Sequence, residues 1–65
     1  MKFLISVRDG YITIGKDKFI KVLKKELAYS IKELKSLNKK FKKNYPGKEI
    51  LILEFFSGKW RTINI

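Results

Sequence analysis

The hydrophobic positions of this chain change their period along its length. Phe3, Ile5 and Val7 alternate with Leu4, Ser6 and Arg8. That is the period of a strand with one face buried. Ile20, Leu23, Leu27, Ile31, Leu34, Leu37 and Phe41 then recur at steps of three and four, which places them on one side of a helix. From Ile50 to Phe56 the chain is apolar at every position but Glu54. A strand half-buried in a sheet alternates, whereas one covered on both faces does not.

These periods predict strand, strand, helix, strand, strand. Asp9-Gly10 is a strong two-residue hairpin signal, because such loops need positive φ. It would join Phe3–Val7 to a return strand over Tyr11–Ile14, pairing Val7 with Ile12 and Ile5 with Ile14. Gly15-Lys16 would then lead into a long helix over Asp17–Lys43, with Asp17 as its N-cap. Asn44-Tyr45-Pro46-Gly47 is the stop signal: Pro46 disfavours helical backbone at Tyr45, and Asn44 suits a left-handed cap. Such a helix would be roughly 40 Å long. A typical strand spans about 17–20 Å. The helix must therefore break near Ser36-Leu37-Asn38, overhang the sheet, or pack on a second copy.

A second hairpin follows, with strands over Glu49–Phe56 and Trp60–Ile65 and a turn within Ser57-Gly58-Lys59. A two-residue loop at Ser57-Gly58 pairs Glu54 with Arg61 and Ile52 with Ile63. It also groups Leu51, Leu53, Phe55 and Trp60 on the other face. A loop through Lys59 instead pairs Leu53 with Ile63 and Phe56 with Trp60. A slip of one residue exchanges the faces, so both registers stay open. In either, one helix covers one face of the sheet and something else must cover the other.

The expectation is a single α+β domain over residues 1–65. It has the order ββαββ, two β-hairpins flanking one long amphipathic helix packed on a four-stranded sheet. In element order and size this layout is similar to small β-grasp-like domains such as the bacterial immunoglobulin-binding modules. The resemblance implies first and last strands side by side at the centre of the sheet, with the helix crossing one face. It carries no shared motif and implies nothing about function.

Charge changes the picture most. Sixteen basic residues against six acidic ones give a net charge of +10. Such a field attracts nucleic acid, anionic lipid or an acidic protein. On the long helix, Lys21, Lys24, Lys25, Lys32, Lys35, Lys39, Lys42 and Lys43 fall along one flank, with Glu26 and Glu33 on the opposite one. A helix built for solubility mixes signs at i,i+4 spacing, and like charges there repel by a few tenths of a kcal/mol per pair. The plain alternative is a solvated lysine face. Only Arg8 and Arg61 are arginines. Lysine binds phosphate as a point charge, while arginine reads base edges bidentately, so backbone binding with weak sequence preference is expected.

Composition removes most catalytic chemistry. Histidine and cysteine are absent. The usual general base, the thiol nucleophile and the common zinc and copper ligands go with them. No base stands ready to activate Ser6, Ser30, Ser36 or Ser57, and Gly15-Lys16 falls short of a phosphate loop. No enzymatic activity, cofactor or small-molecule substrate is expected. Hydrophobic content of 45% argues against disorder. The run Phe3–Val7 is too short for a signal-peptide core, and no window is long enough to span a bilayer. A cytoplasmic location is the default expectation.

Two partner classes lead, ahead of peripheral membrane binding in which the lysines of the basic helix act only as an electrostatic patch. The first is DNA or RNA, met by Lys21, Lys25, Lys32, Lys35, Lys39 and Lys43, with Arg8 and Tyr11 added from the sheet. Tyr11, Phe55, Phe56 and Trp60, interleaved with cations, suit stacking on single-stranded bases; their plain role is core filling. The second is an acidic protein docking on an apolar sheet face that includes Ile50, Ile52, Phe56 and Trp60. A homodimer is expected with either.

Overall fold

A computed structural model describes all 65 residues. Its elements are β1 (Phe3–Ile14), β2 (Asp17–Ala28), α1 (Ile31–Asn44), β3 (Glu49–Phe56) and β4 (Lys59–Thr62). Four strands form one sheet in the order β2-β1-β3-β4, with every neighbouring pair antiparallel. The α+β ββαββ order is thus the one observed. The strand arrangement of the β-grasp modules is not adopted, since β1 lies beside β3 and β4 forms an edge. β2, α1 and β3 form a crossover unit whose two strands are parallel to each other, with β1 inserted between them.

The main departure from the sequence reading is the segment Asp17–Ala28, which is a strand and not the first half of a long helix. The hairpin turn is Gly15-Lys16, with Gly15 at φ +63°, and it sets Ile14 opposite Asp17. Asp17 is therefore not a cap. Asp9-Gly10 lies inside β1, and Gly10 uses its φ of +71° for a bulge. Asp9 and Gly10 together oppose Lys21, and Leu23 is the extra residue on β2 a step earlier, so the two register shifts cancel. Tyr11 consequently pairs with Ile20 and Ile12 with Phe19, in place of the expected partners in Phe3–Val7.

The helix begins where its strongest local signal lies. Ser30 has extended backbone, and its Oγ accepts from the Glu33 N–H at 3.1 Å. The Glu33 carboxylate reaches back to accept from the Tyr29 N–H at 3.0 Å. This is a capping box. Fourteen residues give a helix of about 21 Å. That matches the paired stretch of β1 and β3, Phe3–Arg8 against Glu49–Glu54, at about 3.4 Å per residue. The helix is continuous across Ser36-Leu37-Asn38, so neither a break nor an overhang is required. It ends as the Tyr45 N–H donates to the Phe41 carbonyl at 2.8 Å, and the positive φ falls on Gly47 instead of Asn44.

The helix packs on β1, β2 and β3. Its Leu34 and Phe41 meet Phe3, Ile5 and Val7 of β1, Ala28 of β2 and Ile52 of β3. Leu37, Tyr45, Ile50 and Ile63 pack around this cluster, with Tyr45 edge-on to Phe41. Seven buried apolar residues are a small core for 65. The fold is a slab of 39 × 31 × 16 Å, one sheet and one helix thick.

The second hairpin takes the two-residue loop at Ser57-Gly58, both residues having positive φ. Glu54 pairs with Arg61 and Phe55 with Trp60, and the Ile63 N–H donates to the Ile52 carbonyl at 3.0 Å. This register decides which side chains share a face.

Candidate functional site

Two surfaces on opposite sides of the slab stand out. The first is the solvent side of α1. Leu34, Leu37 and Phe41 hold the helix down, and at 100° per residue Lys32, Lys35, Lys39, Lys42 and Lys43 fall together on one flank, with Lys40 beyond it. All six lysines are exposed. None makes an ion pair, and every carboxylate except Asp17 is engaged elsewhere. Arg8 holds Glu49, Lys48 holds Asp9 at 3.1 Å, Lys24 lies 3.7 Å from Glu26, and the Arg61 Nε donates to Glu54 at 2.9 Å. Glu33 is committed to the helix cap. Six of the unpaired cations therefore lie on α1, and the rest are Lys2, Lys59 and lysines of β2 and its turn.

Other predicted contact residues move away from this flank. Lys21 and Lys25 lie on β2, which is a sheet edge. Lys25 pairs with Ser6 and so shares the sheet face turned away from the helix, while Lys21 stands opposite the bulge. Lys18, Lys21, Lys24 and Lys25 along an edge strand discourage pairing with another chain, which is a sufficient structural role. Arg8 is half-buried and committed to Glu49. Tyr11 is 68% exposed on the outer part of the first hairpin, beyond the last β1–β3 pair. There β1 and β2 continue as a two-stranded arm carrying Ile12, Phe19, Ile20 and Val22, all exposed.

The second surface is the sheet face opposite the helix. Directly paired residues share a face, so Leu4 lies with Leu27 and Leu53, and Ser6 with Lys25 and Leu51. Phe55 and Trp60 complete it at β4, their rings 5.2 Å apart, with the Lys2 Nζ 5.8 Å from each. Nothing in the chain covers this face. The predicted interface residues divide here. Trp60 belongs to the open face, but Ile50 and Ile52 face the helix and join the core. Phe56 also lies on the helix side, under the Arg61 guanidinium at 4.2 Å. The reason is the β1–β3 register: Ile52 pairs with Ile5 and Ile50 with Val7, so the even-numbered residues of β3 point to the helix. Leu51 and Leu53, both half-buried, and the exposed Phe55 take their place on the open face. The alternation of Leu4 with Phe3 and Ile5 already places it on this face, whereas Leu27 joins it only once β2 is recognised as a strand.

No helix is long and apolar enough to cross a membrane. No protein-family model matches the chain, and no curated protein or solved structure matches it significantly.

Proposed function

We propose that this chain is a small, non-enzymatic nucleic-acid-binding protein that holds the phosphate backbone through the exposed flank of α1. The observation that carries the reading is the row Lys32, Lys35, Lys39 and Lys43, exposed and without a single carboxylate partner. From Lys32 to Lys43 the row spans about 16 Å. Along duplex DNA that length passes roughly five phosphates per strand. Four point charges on a rigid helix would neutralise phosphates and release their counterions, without reading sequence. Lys42 and Lys40 widen the row. Lys21, Lys25, Arg8 and Tyr11 are not part of it.

The alternative reading, an acidic protein docked on the apolar sheet face, draws less support. The unpaired charge on α1 and the apolar face lie on opposite sides of the slab, so one acidic partner cannot use both at once. Base stacking on the open face is also weakly supported, because leucines and not aromatic rings occupy its centre.

Fluorescence anisotropy with labelled single-stranded DNA, duplex DNA and RNA tests the proposal. Binding that weakens steeply between low and near-physiological salt is the expected result. No binding at low salt overturns it.

A further inference from the structure

We infer that the sheet face opposite the helix is the interface of a two-fold dimer, covered in solution by the same face of a second copy of this chain. The inference does not depend on nucleic-acid binding. The face is built from Leu4, Leu27, Leu51, Leu53, Phe55 and Trp60. Its polar groups include Ser6, which is buried, Thr62 opposite Leu53, and the ion-paired Arg8 and Glu49 at the end of the β1–β3 ladder. The unpaired cations Lys2 and Lys25 lie towards its margins. A contiguous apolar face with a polar rim marks an interface.

The area agrees. The chain exposes 5122 Å². A compact monomer of its 7.7 kDa mass exposes about 4,300 Å². The excess of about 800 Å² is comparable to what a standard interface removes from each partner, and the exposed arm of β1 and β2 shares in it with the open face. Small chains without disulfide or metal support commonly oligomerise to complete their core.

The geometry also selects a second copy over another protein. An antiparallel sheet with one apolar face packs on another such sheet about 10 Å away, with strands within about 30° of alignment. A two-fold axis sets this patch against itself, and a self-complementary patch of this kind needs no opposite charge. The α1 lysines would face outward, separated by both sheets and so by more than the Debye length of about 8 Å. Edge-to-edge pairing is disfavoured, because β2 carries lysines along its length and β4 is only four residues long.

Sedimentation equilibrium of the purified, nucleic-acid-free chain tests this. The expected mass is twice that of the chain at micromolar concentration and about 0.15 M salt. The Trp60 emission should shift to the red on dilution as the face is uncovered. Leu53→Lys and, separately, Leu27→Lys should each return the mass to that of one chain. Leu27 is exposed at the edge of the face, so its variant tests the interface without opening the core. Circular dichroism checks that it stays folded. A wild-type chain that remains monomeric overturns the inference and leaves the face to a partner of other chemistry. A dimer that survives both substitutions overturns it too.

Discussion

Replacing Lys32, Lys35 and Lys39 by glutamine removes three of the four cations in the α1 row while leaving its apolar side intact. If each lysine of the row neutralises one phosphate, log K should fall with log salt at a slope of about −3.6 on duplex DNA. Between about 50 and 200 mM salt that slope costs roughly 150-fold in affinity. The triple variant keeps Lys43 alone in the row, and its slope should shrink to about −0.9, a loss of only about 3.5-fold over the same range. On single strands both slopes should be about a quarter shallower. Glutamine is nearly as good a helix former as lysine, and removing like charges at i,i+3 and i,i+4 relieves a few tenths of a kcal/mol. The variant should therefore melt at or slightly above the wild-type temperature. The assay is anisotropy against a labelled duplex at four salt concentrations, with thermal denaturation as the control. A wild-type slope near zero, or an unchanged slope in a folded variant, refutes the assignment of phosphate contacts to this flank.

Three further substitutions test the fold that presents the row. Phe41→Ala empties the largest helix side chain from a seven-residue core and should cost about 3–5 kcal/mol in urea denaturation; a loss below 1 kcal/mol would mean the helix does not seat there. Ser30→Ala removes the N-cap and should destabilise by about 1 kcal/mol; in a helix starting at Asp17 the same change would be mid-helix and mildly stabilising, so its sign locates the helix start. Ser57→Asn places a residue tolerant of left-handed backbone at φ +51° and should recover part of the ~1–2 kcal/mol that this conformation costs. A lowered melting temperature would refute the turn geometry.

How far the sequence could be read depended on how much of each element is buried. Phe3, Ile5 and Val7 face the helix and are fully buried, so a large apolar residue stands at every second position and the strand was legible. The stop around Pro46-Gly47 and both bounds of β3 were legible from turn residues. The segment Asp17–Ala28 was not, because only Ala28 of β2 is buried. An exposed edge strand has no face that must be apolar, so no period of two is imposed on it. Ile20, Leu23 and Leu27 then match helical spacing by coincidence and run on into the true helical set from Ile31. Two signals in the sequence oppose that reading. Phe19, Ile20 and Val22 favour strand, and Ser30-x-x-Glu33 is a capping box in the middle of the supposed helix. The choice between Asp9-Gly10 and Gly15-Lys16 as the turn had no local solution, since both offer a glycine able to take positive φ. The chain uses both, one for a bulge and one for the loop.

Moving the helix start from Asp17 to Ile31 also changes what the lysines mean. Four of those once placed on the helix become edge-strand residues with a structural role of their own, while six remain on fourteen residues of α1 with one carboxylate among them. Solvation alone accounts poorly for that density, because an equal number of mixed charges would solvate the helix without repulsion. The opposite face carries the reverse pattern, large apolar side chains with few unpaired charges. A single salt titration separates the two roles. Counterion release makes polyanion binding weaken as salt rises. Association of two chains of charge +10 should strengthen, because screening removes their repulsion and leaves apolar burial largely untouched. Two slopes of opposite sign, measured on one protein, would assign the lysine flank and the open face to different partners. Two slopes of the same sign would mean that one surface serves both.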